Sequence, residues 1–200
     1  MSQSTKQRVF LVRHGETEWS RSGQHTGRTD IPLTEDGRER ARLIGHFLKG
    51  CEFGLVLTSP LGRARETCEL AGLAATAEVD VNLLEWDYGI YEGRTTQDIR
   101  VDCDPQWSVW MSPMTGGESL QQVYARACKI VERVAAETEA GDVALFAHGH
   151  ILRILAAAWI GLSAITGRHL ALDTATVSVL GYERQTRVIR EWNVTPTDRT

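Results

Sequence analysis

No apolar run in this 200-residue sequence comes near the roughly 18 residues that a bilayer-spanning helix needs, so no transmembrane helix and no membrane partner are expected. The first residues, Met1 to Arg8, are polar and lack an apolar h-region, which argues against a signal peptide. Cysteine is sparse: Cys51, Cys68, Cys103 and Cys128 are widely spaced and form no C-x-x-C pair. That pattern reads as reduced thiols in a cytoplasmic protein rather than a zinc site or a disulfide frame. An excess of basic charge is missing too. The net charge of -4 argues against nucleic acid as a partner, so any anion site must be a local gathering of basic groups. Repeats, low-complexity tracts and obvious linkers are absent. What is present is an ordinary globular composition, 42% hydrophobic and 24% charged, in a chain long enough for a real core. One domain over residues 1–200 is expected.

Val9 to Val12 is a short apolar run that stops abruptly at Arg13-His14-Gly15. It reads as a buried strand with a turn at its carboxyl end, where open α/β sheets place their ligands. Trp19 to Pro32 is polar and glycine-dotted, and reads as a loop long enough to be functional. Thr34 is expected to cap a helix whose apolar stripe, Ala41, Ile44 and Leu48, ends near Gly50. A second strand, Leu55 to Leu57, leads to Ser59 and Pro60, read as the cap and first residue of a helix that stops at Gly72. Arg63 then sits beside a helix N-terminus, a place that favours a phosphate. Val79 and Val81 suggest a third strand, and Leu83 to Gly93 an ordered loop. A helix is expected near Thr96 to Val101, with Trp107 and Trp110 covering core or cleft. Ser119 opens a capping box, and Leu120, Val123, Ala127, Ile130 and Val134 follow at helical spacing.

Val143 to Ala147 is the strongest strand, and it repeats the design of the first. It ends in His148-Gly149-His150, followed by an apolar helix from Ile151 to about Ile160. Val177 to Tyr182 and Val188 to Val194 read as a terminal β-hairpin. Strands alternating with helices indicate an α/β sandwich with a largely parallel sheet, to which the hairpin adds an antiparallel edge.

Three strands thus deliver Arg13 and His14, Arg63, and His148 towards one edge of the sheet. Two arginines and two histidines in one cleft would hold a dianion, and the sharpest chemistry for them is phosphoryl transfer to His14. If Nδ1 of His14 gives its proton to a backbone carbonyl, Nε2 faces the phosphorus. Arg13, Arg63 and His148 would neutralise the phosphoryl oxygens, with the Gly149 amide as a further donor. Water then hydrolyses the phosphohistidine. The leaving alkoxide needs a proton, and Glu85 is the candidate donor. A carboxyl group beside a phosphate dianion keeps its proton to higher pH than one in water, so activity should favour mildly acidic pH. The His148 and His150 pair could instead suggest a metal, but no further ligands at suitable spacing are evident. His25, His46 and His169 read as surface or packing residues, and Arg21 and Arg28 as solvated unless the substrate carries a second phosphate.

Leu11 to Thr17, Thr58 to Ala64, Glu85 within Glu-Trp-Asp-Tyr-Gly, Gly117-Glu118-Ser119 and Ala147 to His150 resemble, in order, the motif blocks of the histidine phosphatase superfamily, phosphoglycerate-mutase-like branch. The blocks span about residues 9 to 160. The resemblance implies a three-layer α/β/α sandwich without metal or other cofactor, with His14 as nucleophile. It implies Arg13, Arg63 and His148 as the phosphate pocket and Glu85 as the proton donor. Trp19 to Gly27 and Glu85 to Gly93 are similar to the sugar-phosphate phosphatase subgroup, which includes sedoheptulose-bisphosphatase-type enzymes and bacterial acid phosphatases. Through that likeness Ser20, Gln24 and Thr26 become candidate substrate contacts. Mutases of the family carry Asn where this chain has Ser20, and Arg where it has Trp86. A tryptophan cannot offer the bidentate contact that an arginine makes with a carboxylate. Family habit implies a homodimer.

The leading expectation is a metal-independent phosphomonoesterase for a small phosphorylated metabolite, with sugar phosphates as the class. A 2,3-bisphosphoglycerate-dependent mutase and a catalytically retired phospholigand-binding module are the alternatives. Phosphate release across a metabolite panel, measured beside mutase turnover with bisphosphoglycerate, separates the first two. Mutase turnover far above hydrolysis would overturn the phosphatase expectation.

Overall fold

The computed structural model describes residues 7–137 and 141–197, so most of the polar Met1 to Arg8 segment lies outside the described residues. Six strands form one sheet in the order β3-β2-β4-β1-β5-β6. The strands are β1 (Val9–Arg13), β2 (Phe53–Thr58), β3 (Ala77–Val79), β4 (Asp142–Ala147), β5 (Val177–Glu183) and β6 (Thr186–Val194). β1, β4, β2 and β3 pair in parallel, whereas β5 runs antiparallel to both β1 and β6. The expected edge hairpin is therefore present. The helices are α1 (Glu18–Ser22), α2 (Glu35–Leu48), α3 (Gly62–Leu70), α4 (Thr96–Asp102), α5 (Leu120–Ala136) and α6 (Gly149–Trp159).

Side-chain alternation along the strands builds two cores, because successive residues point to opposite faces. Val9, Leu11, Leu57, Val143 and Leu145 pack with Ile130 of α5 and Ile151 and Leu155 of α6. Phe10, Val12, Val56, Ala144 and Phe146 pack with Ile44 of α2 and Cys68 of α3. Helices on both faces of the sheet make the expected α/β/α sandwich. β1 and β4 are apolar on every residue but the last or first, as a parallel strand covered on both faces requires.

Three local expectations are corrected. The stretch from Trp19 is not loop throughout, because Thr17 and Ser20 form a capping box that starts α1, and Gly23 in the left-handed region ends it. Ser59 and Pro60 precede α3 without capping it. That helix begins at Gly62, and Asp30, from the loop after α1, accepts from the Gly62 amide at 2.6 Å. The third strand stops at Val79, and Val81 opens a 3-10 turn capped by Asp80. The helices capped by Thr34 and Ser119 form as expected.

One close backbone approach ties α2 to the turn after β1. A Cβ placed on Gly37 would lie 2.3 Å from the Glu16 carbonyl oxygen, and one on Gly15 would lie 2.4 Å from that of Gly37. Gly37→Ala must push α2 off the turn, and overpacking of this kind costs about 1–3 kcal/mol. A lower urea midpoint and a lower specific activity are expected. An unchanged midpoint would mean that the start of α2 shifts freely.

Candidate active site

β1 and β4 pair with Arg13 opposite Ala147, and the His14 amide continues the ladder by donating to the Ala147 carbonyl at 3.0 Å. This register brings His14 and His148 to the same level at the carboxyl edge. Their rings lie 5.2 Å apart, edge to face. Both are buried.

Nδ1 of His14 lies 2.7 Å from the Gly15 carbonyl, which can only accept. Nδ1 therefore carries the proton and Nε2 keeps the lone pair. Burial, and then the Arg63 and Arg13 cations, hold the His14 pKa well below the usual imidazole range, so the ring is neutral near pH 7. His148 has the opposite tautomer. Its Nδ1 accepts from Arg63 Nε at 3.1 Å, so Nε2 donates to Ser59 Oγ at 2.8 Å. Its pKa is likewise depressed, by burial first and by Arg63 second.

A cavity of about 190 Å³ opens on His14. Arg13, Ser20, Gln24, His25, Thr26, Glu85 and Gly149 are among its walls. Arg13 lies across the start of α6, where a Cβ on Gly149 would come within 3.3 Å of its guanidinium carbon. Arg13 donates to the Leu172 carbonyl, but its buried Nε has no acceptor among the described residues. A buried charged donor left unpaired is costly, and an anion in the cavity would satisfy it. Glu85 accepts from the Trp86, His150 and Ile151 amides at 2.9 to 3.0 Å. Two of those amides belong to the first turn of α6, where a carboxylate is favoured by the helix dipole.

Residues 9–195 match the histidine phosphatase superfamily, branch 1. The chain belongs to that superfamily. It is 41% identical over 182 residues to an acid phosphatase of Mycobacterium tuberculosis, covering 90% of this chain and 89% of the relative. It is 37% identical over 184 residues to a sedoheptulose 1,7-bisphosphatase of Saccharomyces cerevisiae, covering 78% of this chain and 68% of the relative. A solved structure of an open reading frame product from Mycobacterium tuberculosis superposes with a TM-score of 0.90 at 38% identity, over 96% of this chain and 99% of that one. Membership of this superfamily, with relatives named as phosphatases, makes the chain a phosphatase.

Within this histidine phosphatase, not every expected site residue reaches the cavity. Arg63 and His148 lie behind it. Arg63 is 1% exposed and donates to His148 and to the carbonyls of Thr26, Gly27 and Thr29. It clamps the loop after α1 as well as the histidine. Ser20, Gln24 and Thr26 do reach the cavity. Gln24 Nε2 also donates to the Gly93 carbonyl at 2.6 Å, and Ser20 completes the α1 capping box. Arg21 and Arg28 are ion-paired, with Glu16 and Glu118 respectively. Trp86 is buried, with its indole donating to the Glu118 carbonyl. His148 and His150 diverge: the former meets Arg63 and Ser59, and Nδ1 of the latter shares a hydrogen bond of 2.7 Å with the Tyr88 hydroxyl.

Tyr88 and His25 line the cavity, as a cleft-wall tyrosine and a substrate-loop histidine can, and His150 and Arg153 join them as unexpected walls. Arg153 stacks over Trp110, 4.6 Å from the ring centroid. A signal for it exists in the sequence. It is the one charged residue in an otherwise apolar helix, one turn beyond His150 and on the same face.

Two buried histidines, His14 and His148, and two half-buried ones, His25 and His150, make stability pH-dependent. Burial lowers the His25 pKa to about 4, and those of His14, His148 and His150 also fall well below 6.5. Below pH 6.5 the unfolded chain binds protons that the folded chain refuses, so stability must fall as pH drops through this window towards 4. Urea midpoints measured at intervals from neutral pH downwards should decline. A midpoint constant down to about pH 5 would show that these rings titrate normally.

Proposed function

We propose that the protein hydrolyses monoesters of small phosphorylated metabolites, with sugar phosphates as the substrate class, through a phosphohistidine on Nε2 of His14. The observation that carries this reading is the neutral His14 ring, whose Nδ1 proton is given to the Gly15 carbonyl while the ring opens on a cavity walled by Arg13. Nε2 attacks phosphorus, the N–P bond forms, and the bond from phosphorus to the ester oxygen breaks. The Glu85 carboxyl group gives its proton to the departing alkoxide. A water molecule then attacks phosphorus and returns a proton to Glu85. The N–P bond breaks, releasing inorganic phosphate and the starting imidazole.

Arg13 and the Gly149 amide face the transferring group, the latter because the first amide of a helix has no intrahelical acceptor. Arg63 and His148 act from the layer behind, Arg63 by its charge and His148 by the face it presents to His14. Such fixed charges favour the phosphoryl transition state because they need no rearrangement when charge develops. Ser20, Gln24 and Thr26 would contact the alcohol part of the ester. The likeness to a sedoheptulose 1,7-bisphosphatase and an acid phosphatase supports the choice of substrate class.

Alkaline quenching during turnover of a radiolabelled substrate should trap label on the wild type and none on His14→Ala. Because His14 stays neutral well below pH 6.5, acid does not disarm the nucleophile, and kcat/KM should be sustained as pH falls below that value. Glu85→Gln should lower the rate about 100-fold on esters with a poor leaving group and by much less on an aryl phosphate. An equal rate on both in Glu85→Gln and wild type would remove Glu85 from the acid role.

A further inference from the structure

One face of α3 reaches both His148 and the turn that carries His14. Arg63 reaches His148, and one turn later Thr67 reaches the backbone of the His14 turn. Thr67 is fully buried. Its Oγ1 accepts from the Gly15 amide at 3.0 Å and donates to the Arg63 carbonyl at 2.7 Å. The one hydroxyl proton is thus committed to the helix, so a lone pair must face Gly15. On the other side of the same peptide, the His14 carbonyl accepts from the Ala175 amide at 3.0 Å. The peptide joining His14 to Gly15 is therefore gripped at both ends. Gly15 is further confined by the Gly37 carbonyl, which a Cβ on Gly15 would approach to 2.4 Å.

This matters because the next carbonyl, that of Gly15, is the acceptor that holds the His14 Nδ1 proton. If the peptide before it rotates, the carbonyl swings away, the ring loses its tautomer preference, and Nε2 loses its alignment. We propose that Thr67 is a positioning residue for the nucleophile, fixing the His14–Gly15 peptide so that the Gly15 carbonyl orients the imidazole. The proposal rests on the reading of His14 as the phosphorylated residue. It adds that the α3 face carrying Arg63 and Thr67 sets the geometry of both histidines from outside the cavity. Thr67 touches neither substrate nor reacting atoms. Its loss should slow phosphoryl transfer without weakening anion binding.

Thr67→Val keeps the shape of the side chain and removes the hydroxyl, whereas Thr67→Ser keeps the hydroxyl and removes a methyl group. With an aryl phosphate in single turnover, Thr67→Val should phosphorylate His14 about 10- to 100-fold more slowly per active site, the scale set by a small misplacement of a reacting group. The Kd for inorganic phosphate should stay within about threefold of wild type, since Thr67 bonds to the Gly15 and Arg63 backbone and not to the anion. Thr67→Ser should recover to within about fivefold of the wild-type rate. Nitrogen-15 spectra should show the His14 Nδ1–H tautomer in wild type and Thr67→Ser, and a mixture in Thr67→Val. A purely structural role would lower the melting temperature while leaving the rate per active site and the tautomer unchanged, and that result overturns the proposal. So does an equal loss in Val and Ser. If Thr67→Val does not fold, Thr67→Ala against Thr67→Ser carries the same comparison. A wild type that never labels His14 sinks the nucleophile reading itself. A wild type that labels normally, with Thr67→Val just as fast, sinks only the role of Thr67.

Discussion

The in-register parallel pairing of β1 with β4 is the contact on which the rest of the site depends. Parallel strands present their carboxyl ends at the same edge, and the pairing of Arg13 with Ala147 fixes that edge to within one residue. The ladder runs one step past the strands, through the His14 amide, before the chains diverge. A slip of one residue would exchange the side chains that the two cores receive and separate the two rings. Both strands are covered by helices on each side, so the register is enforced by the two cores and not by the site.

On that edge the chain gathers cations around two histidines. Arg13 and Arg63 lie close to both rings and depress their pKa values, second to burial. Arg63 is made tolerable by an ion pair with Asp30 at 3.6 Å and by three loop carbonyls and an imidazole that accept its hydrogen bonds. Glu85 is held by backbone amides rather than by an arginine. The result is a cavity lined by arginines beside a neutral imidazole, an electrostatic setting that suits an anion. The same arrangement couples the loop after α1 to the histidine layer, because Arg63 and Asp30 bind that loop to the start of α3.

Much of this is legible before any coordinates. Apolar runs that end in Arg13-His14-Gly15 and Ala147-His148-Gly149 mark the two strands and the edge where they finish. Ser119 and Thr34 mark the starts of α5 and α2 because a capping side chain must lie next to the amides it satisfies. The start of α3 was hidden for the opposite reason: Asp30, distant in the chain, takes the place of a local cap. The place of Arg63 in the first turn of α3 follows from the sequence, yet its orientation away from the cavity depends on the carbonyls of residues 26, 27 and 29, which no local pattern reveals. His25 does pack, but its aromatic neighbours Tyr88 and Trp107 are more than sixty positions away, so its place in the cavity wall has no local signal.

By itself the sequence determined the α/β class, the strands, most helix starts and the chemical identity of the groups at the sheet edge. These follow from periodicity, capping and composition, which act over a few residues. Only the tertiary structure decided which of those groups face the cavity and which support it from behind. It also decided the tautomers of His14 and His148 and the grip of Thr67 on the backbone beside His14. Each of these is a hydrogen bond whose partners are distant in the chain, apart from the adjacent bond between His14 and Gly15, or a consequence of shared burial. Such partners are chosen by the packing of helices on the sheet.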